Sequence, residues 1–454
     1  MNALVQINST TREPTKEKRL GVFIKTYGCQ MNEYDSAKLA KILESDYDPV
    51  SSPEQADLVL VNTCSVRDRP EQKLYSLLGE LAELKQDKPG LMIGVGGCVA
   101  QQEGETIVKR SKVVDFVFGT HNLSLVPSLI EKRKQLGEPQ IAVDYRDEWE
   151  DLPLGFTGAE RVSVFISISR GCNKNCTYCI VPTTRGKEVS RALSEIEKEI
   201  RISVHRGAKE VVLLGQTVNS WGLDLTPRKK FVELLESIAS INGVERIRFM
   251  SPHPQEIRQD FIDLVTTNPK ICRHVHMPLQ SGSDRILKLM NRNYSTSKYL
   301  GIIDALKTRV PDMGITTDII VGFPGETESD FEETVKMMNQ VEFQNSYVYA
   351  FSPRPGTIAA QLKDDVPQEE KLRRLQHLQH RQEANSAKIL ARWIGKTVEV
   401  LVDGPSQHTP KVLHGRSSQS IAVNFDIGNL KIGAGDIVPV QVTAVGRFSL
   451  RGKV

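Results

Sequence analysis

Seven cysteines stand at positions 29, 64, 98, 172, 176, 179 and 272. Three of them, Cys172, Cys176 and Cys179, fall in one run, Cys-Asn-Lys-Asn-Cys-Thr-Tyr-Cys, opened by Arg170 and Gly171. Gaps of three and then two residues on one short loop let three thiolates take three corners of an iron–sulfur cube, with the fourth iron open to a ligand. A structural zinc site would need a fourth Cys or His at ligand spacing, and none follows. Two-cluster bacterial ferredoxins use a different spacing, closed by Cys-Pro.

Cys29, Cys64 and Cys98 form a second set on a different principle. Residues 20–137 alternate short apolar runs with helical patterns, which predicts a doubly wound parallel α/β sheet. Strands are expected at 21–28, 57–63, 91–97 and 115–120. Each of the three cysteines lies just past the carboxyl end of one of the first three strands, the edge where open α/β sheets bind ligands. The three thiols are therefore expected to converge, as ligands of a [4Fe–4S] cluster with one open iron or, alternatively, of a zinc ion. Six of the seven cysteines sit in turn-like sequence beside Gly or Asn, where exposed thiols are expected. Cys272 sits in an apolar run near a strand start and reads as a small core hydrophobe. Disulfides are not the expectation in a large chain of this composition.

The remaining elements must position these groups. The chain has 454 residues, 39% hydrophobic and 25% charged, with a net charge of +3. That excludes fibrous and disordered classes and is too little charge to imply a nucleic-acid partner by itself. No apolar run approaches the ~20 residues needed to span a bilayer. The polar start lacks the order of a signal peptide, so a cytoplasmic location is expected. Residues 1–19 read as a disordered tail, 20–137 as the first domain and 138–157 as an acidic, Gly- and Pro-containing linker. Residues 158–388 carry six strand–helix units, too few for a closed eight-stranded barrel and suited to a partial (β/α)6 barrel. Residues 389–454 hold short β-type runs and read as a small antiparallel β-barrel. Eight basic and four acidic residues in that last stretch suit contact with RNA, or simply a solvated face.

The Cys172–Cys179 loop resembles the signature of radical S-adenosylmethionine enzymes, in which the open iron binds the amino and carboxylate groups of the cosubstrate. Tyr178 fills the place before the third cysteine, where that family usually has an aromatic residue. From about residue 20 to 453 the chain resembles the methylthiotransferases within that superfamily. The motifs are Thr26–Asn32 (TYGCQMN), Asn62–Arg67 (NTCSVR), Gly96–Cys98, Arg170–Gly186, Leu214–Asn219, Pro278–Asp284, Gly322–Thr327 and Ser352–Thr357. The last domain resembles a TRAM domain, with His414–Ser418 as HGRSS. Gln30-Met31-Asn32 after Cys29 is the form of the tRNA-modifying branch; the branch acting on a ribosomal-protein aspartate more often carries Pro-Lys-Asn. Residues 1–19 have no counterpart in the family pattern, and Ala350-Phe351 precede Ser352 where a Tyr-Ser pair is expected.

The resemblance implies a transferase that places a methylthio group at C2 of N6-isopentenyladenosine beside the tRNA anticodon. It implies two [4Fe–4S] clusters. The one on Cys172, Cys176 and Cys179 would reduce S-adenosylmethionine to methionine and a 5′-deoxyadenosyl radical. The one on Cys29, Cys64 and Cys98 would carry an added sulfur, with a second S-adenosylmethionine supplying the methyl group. Implied partners are the isopentenylated tRNA, an electron donor such as flavodoxin or ferredoxin, and a sulfur donor, for a monomer away from membranes. Other readings are a threonylcarbamoyl-adenosine or ribosomal-protein substrate, or a non-catalytic iron–sulfur RNA-binding protein.

Outside the cysteines, Gly215 and Gln216 end a strand at the ligand edge, where a small residue admits a cosubstrate, or they form an ordinary turn. Gln280 and Ser281 follow another strand with the same two readings. Asp318 lies among apolar neighbours, where an unpaired carboxylate is costly, so a buried polar role is expected. Gly322, Pro324 and Gly325 make the turn after it. His274 and His276 read as core histidines, and Trp221 as either a base-stacking or a loop-packing residue.

Overall fold

The computed structural model describes residues 19–65, 68–150, 152–155, 161–406 and 412–454. Apart from Arg19, the stretch read as a tail, 1–19, lies outside them.

The first domain is a six-stranded, wholly parallel sheet of β1 (Leu20–Thr26), β2 (Tyr47–Pro49), β3 (Leu58–Thr63), β4 (Met92–Gly97), β5 (Phe116–Phe118) and β6 (Gln140–Ala142), in the order β2-β1-β3-β4-β5-β6. Alternation along β3 explains why both faces are covered. Leu58 and Leu60 join Leu39, Leu43, Phe116 and Phe118 on one side; Val59 and Val61 join Leu74, Leu78 and Leu81 on the other. Two strands were not expected from sequence: β2 and β6 have three residues each, and β2 carries Asp48 and Pro49. β6 falls inside 138–157, so that stretch is not wholly a linker. The chain around it is docked too, since the backbone N–H of Ser124 donates to Glu150 Oε1 and Lys38 Nζ to the Pro153 carbonyl oxygen.

The central domain has six parallel strands: β7 (Ser163–Ser167), β10 (Glu210–Leu214), β11 (Arg246–Phe249), β12 (His274–His276), β13 (Gly314–Val321) and β14 (Asn345–Ala350). They form two three-stranded ladders, β7-β10-β11 and β12-β13-β14, joined by a parallel bridge between Ile247 and Ile271. This is the expected partial barrel. A short hairpin of β8 (Ser169–Arg170) and β9 (Val189–Ser190) follows the first strand. The helix-facing side chains Ile166, Val211, Leu213, Ile247, Val275, Ile315 and Ile319 share one core. On the opposite face Val212 and Leu214 are covered by Met31 and Tyr34, which belong to helix α1 (Gln30–Leu43) of the first domain.

The last domain is a closed five-stranded barrel of β15 (Thr397–Pro405), β16 (Val412–Ser417), β17 (Ala422–Asp426), β18 (Ile437–Val445) and β19 (Ser449–Lys453), in the order β15-β16-β17-β19-β18. It is not wholly antiparallel as expected: β17 and β19 run parallel, the pair that closes the ring. Its 417–421 turn is seated on the amino-terminal ends of the central strands. Arg248 donates to the carbonyl oxygens of Ser417 (2.5 Å) and Ser418 (3.1 Å), Arg246 donates to that of Arg416 (2.6 Å), and the Arg273 N–H donates to Ser418 Oγ (2.9 Å). Much of the HGRSS motif therefore serves docking. Among the described residues no helix is long and apolar enough to cross a membrane.

Arg248 also forms a buried ion pair with Glu210 at 2.6 Å. Removing one partner of such a pair leaves an uncompensated charge and costs about 3–5 kcal/mol. Arg248→Ala should lower the denaturant midpoint accordingly and make the terminal barrel an early target in limited proteolysis. Replacing Glu210 by Gln in the same chain should recover part of the loss.

Candidate functional site

The strand order reverses between β1 and β3, the place where such sheets bind ligands, and two of the cysteines stand there. After β1 the chain turns through Gly28 into Cys29, which begins α1 in extended conformation. A Cβ on Gly28 would lie 2.7 Å from the Cys64 Cβ and 2.9 Å from Asn32 Oδ1. Only glycine lets the two cysteine-bearing turns approach so closely. Gly97, at φ 91°, ends β4 and delivers Cys98 as the first residue of helix α2 (Cys98–Glu103). Two asparagines beside the cysteines tie the turns together: Asn32 Nδ2 donates to Asn62 Oδ1 (3.1 Å) and to the Thr63 carbonyl (3.0 Å), and Asn62 Nδ2 to the Asn32 carbonyl (2.9 Å).

The Cys29 thiol interacts with that of Cys64, and Cys98 lies within electrostatic reach of Cys29. A hydrogen bond with the Cys64 thiol, helped by the Arg185 guanidinium and the helix-start N–H groups of Asn32 and Met31, holds the Cys29 thiol down at about 5. Low values at helix starts beside a cation are the normal physics of reactive thiols. Burial pushes the Cys98 thiol up, opposed by Arg185. Arg185 reaches this site from the central domain and pairs with Asp35 of α1 at 2.8 Å. Exposure departs from expectation. Cys29 alone of the seven is exposed; Cys64, Cys98, Cys172, Cys176 and Cys272 are buried and Cys179 half-buried.

The set of Cys172, Cys176 and Cys179 lies on the loop after β7. Its middle is pinned to the 289–291 segment: the Thr177 N–H donates to the Met290 carbonyl oxygen (3.1 Å), and Asn291 Nδ2 to that of Asn175 (2.7 Å). The Cys172 Sγ contacts Thr217 Oγ1 (3.4 Å) and accepts from the Lys174 N–H (3.4 Å). The Cys176 Sγ accepts from Arg292 Nη1 at 3.3 Å. Burial pushes the Cys179 thiol up to about 12, partly offset by the Val181 N–H, with the neighbouring Cys176 and Cys172 adding to the rise. Burial pushes the Cys172 thiol up as well, so a bound cation would relieve the cost of ionising Cys172 and Cys179. Among the described residues, no three of His, Cys, Asp and Glu stand close enough to share a single ion.

One short helix, Val181–Arg185, joins the two sets. Its start bonds the Cys179 sulfur and its last residue is Arg185. The Cys172 N–H donates to the Gly186 carbonyl oxygen (3.1 Å), closing the whole segment on itself. The helix is held to the first domain by Thr120 Oγ1, donating to the Thr184 carbonyl (2.7 Å), and by His121 Nε2 on that of Arg185 (3.0 Å).

The other sequence candidates divide. Tyr178 is half-buried and packs beside Ile286, Met290 and Phe323. Gly215 does admit a neighbour: a Cβ there would meet Ser169 Oγ at 2.6 Å. Ser169 Oγ and Gln216 Oε1 are both buried without a hydrogen-bond partner. Ser281 is buried, and its hydroxyl accepts the Ser283 N–H (3.2 Å), so it shapes its own turn. Gln280 takes a positive φ of 69° and its main chain bridges β13. Asp318 is only partly buried and is paired with His276 Nε2 at 3.1 Å. His276 is buried and His274 half-buried, and both bond Thr316 Oγ1, so they are satisfied histidines in a polar row along the sheet. A Cβ on Gly322 would strike the Lys371 side chain at 2.3 Å, which makes it a packing position. Trp221 is fully buried with its Nε1 donating to the Arg191 carbonyl (2.9 Å), which settles it as packing. Cys272 lies 3.9 Å from Glu210, apart from both sets. Sequence reading missed Thr217, Arg292, Arg185 and Asp35. Arg185 and Thr217 lay inside quoted motifs.

A six-strand parallel arc whose first strand feeds this three-thiol loop, set beside a second α/β sheet, defines a radical S-adenosylmethionine enzyme. The Radical SAM superfamily matches residues 166–338, the Uncharacterized protein family UPF0004 residues 21–119, and the TRAM domain residues 391–454. The tRNA-2-methylthio-N(6)-dimethylallyladenosine synthase of Ralstonia nicotianae is 44% identical over 95% of this chain and 97% of its own length. That of Burkholderia ambifaria (strain MC40-6) is 43% identical over 95% and 96%. The chain belongs to this family of tRNA-2-methylthio-N(6)-dimethylallyladenosine synthases. In fold it is similar to the radical S-adenosylmethionine methyltransferase TsrM of Kitasatospora setae, with a TM-score of 0.56, 13% identity, and coverage of 76% of this chain and 75% of that one.

Because Cys272 touches neither set, Cys272→Ala should keep the full iron content after anaerobic reconstitution, at a packing cost of about 1–2 kcal/mol. Iron analysis beside denaturant unfolding checks both, and a loss of half the iron would make Cys272 a ligand.

Proposed function

We propose that this enzyme converts N6-isopentenyladenosine in tRNA to its 2-methylthio derivative. The observation that carries the reading is the placement of two three-thiol sets at the two ends of the helix Val181–Arg185, in a chain whose relatives are named for this reaction.

Cys172, Cys176 and Cys179 would hold one [4Fe–4S] cluster, and Cys29, Cys64 and Cys98 a second. The fit rests on the donor set: two groups of three sulfurs, each with a cation at hand, Arg292 for the first and Arg185 for the second. Such groups supply reductive cleavage of S-adenosylmethionine at one cluster and a transferable sulfur at the other. The protein's part is to bind, orient and exclude water. Ser169 Oγ and Gln216 Oε1 are buried polar atoms in want of partners, a condition that costs about 1–3 kcal/mol each. They are the groups we assign to the polar end of the cosubstrate, with Gly215 making room for Ser169. Tyr178, next to Cys179, would help shield the first cluster from water. Two molecules of S-adenosylmethionine per turnover, an external electron donor, a sulfur donor and a cytoplasmic setting complete the proposal. The terminal barrel, seated by its 417–421 turn, would contact the tRNA with the rest of its surface.

The test separates the two sets. The Cys29/Cys64/Cys98→Ala variant should retain about half the iron and still form 5′-deoxyadenosine, yet give no methylthio product on isopentenylated tRNA. The Cys172/Cys176/Cys179→Ala variant should give neither. Chromatography of 5′-deoxyadenosine and nucleoside mass spectrometry read both. Product from the first variant, or 5′-deoxyadenosine from the second, would overturn this assignment. An unaltered chain that binds iron and tRNA but never cleaves the cosubstrate would point to a binding protein.

A further inference from the structure

Arg185 is 5% exposed and belongs to the central domain, yet its guanidinium lies at the first domain's thiols. It donates to Asp35 Oδ2 at 2.8 Å. Its helix packs against the helix that begins at Cys98, and its charge attracts the Cys98 and Cys29 sulfurs. Docking of its helix does not need this side chain. The contacts that hold the helix to residues 120–121 are made by the carbonyl oxygens of Thr184 and Arg185. A buried, permanently charged fork of N–H donors has thus been placed against sulfur in addition to its own counter-ion.

We infer that Arg185 is a positioning residue for the group held by Cys29, Cys64 and Cys98, donating hydrogen bonds to its sulfurs across the domain boundary and setting its reduction potential, with Asp35 deciding how much of the positive charge is felt there. The inference rests on the proposed second cluster. Three thiolates leave such a group with net negative charge, and an added electron is more costly the more negative and the more buried the group is. A guanidinium beside the group would offset that cost by its charge and by any N–H bonds it gives to sulfur. Outer-shell partners of this kind commonly matter about 10- to 100-fold for a metal site. Removing Arg185 therefore disfavours the reduced state. Neutralising Asp35, while keeping an amide to accept the guanidinium's bond, favours it.

The experiment uses the full chain in the Cys172/Cys176/Cys179→Ala background, anaerobically reconstituted so that a single cluster remains, and follows its reduction by electron paramagnetic resonance during a redox titration. Arg185→Gln should lower the midpoint potential. Arg185→Lys, which keeps the charge without the planar fork, should fall between Gln and Arg. Asp35→Asn should raise it. Each should retain about four irons per chain. Unchanged midpoints, a shift in the same direction for Arg185→Gln and Asp35→Asn, or loss of iron from both Arg185 variants would overturn the inference, the last by making Arg185 a scaffold. Absence of a cluster while Arg185 is intact would instead remove the second-cluster reading, and the inference with it.

Discussion

The seating of α1 against the central strands is the contact on which the rest depends. Glu199 is fully buried and is held by two buried cations, Lys38 of α1 and Arg191 of the central domain. Tyr34 and Met31 cover Val212 and Leu214 beside it. A buried carboxylate stripped of its partners costs several kcal/mol, so the helix has one acceptable position. Since α1 begins at Cys29 and carries Asp35, that position also fixes one thiol of the Cys29, Cys64 and Cys98 set and the counter-ion of Arg185. Architecture and chemistry are set by the same few charges.

Much of this was legible in the sequence where chemistry imposes spacing. The loop from Cys172 to Cys179 has to present three sulfurs from one short run, and cysteines after successive strands have to meet at a sheet edge, so both sets could be read. The partners of those sulfurs could not. Arg185 and Asp35 are 150 residues apart, and Arg292 and Cys176 are 116 apart. Such contacts exist only once domains have packed, and a lone arginine in a turn carries no sign of where it will go. The same reason explains the misjudged exposure. Glycine and asparagine around Cys64 and Cys98 report the local backbone, whereas burial comes from α1 and the helix Val181–Arg185 folding over them. The strands β2 and β6 were missed because three residues give no periodicity to detect, and their pairing with longer neighbours supplies the missing definition.

The terminal barrel shows a comparable division. Its five strands enclose Val400, Val423, Phe425 and Val440, a core that alternation predicts. What alternation does not give is the use of the 417–421 turn as a plug against Arg246, Arg248 and Arg273. Arg246 and Arg248 meet this segment through its carbonyl oxygens, so that part of the joint does not depend on which side chains the segment carries.

The closed segment from Cys172 to Gly186 has a consequence for whatever enters between the two sulfur sites. Because its ends are hydrogen-bonded to each other and its helix is bolted to the first domain at residues 120–121, the separation of the sites is dictated by covalent chain and not by a hinge. The enzyme is then a fixed-gauge gap, not a jaw. A base that must reach into it has to leave its stack and swing outward, as nucleobase-modifying enzymes generally require.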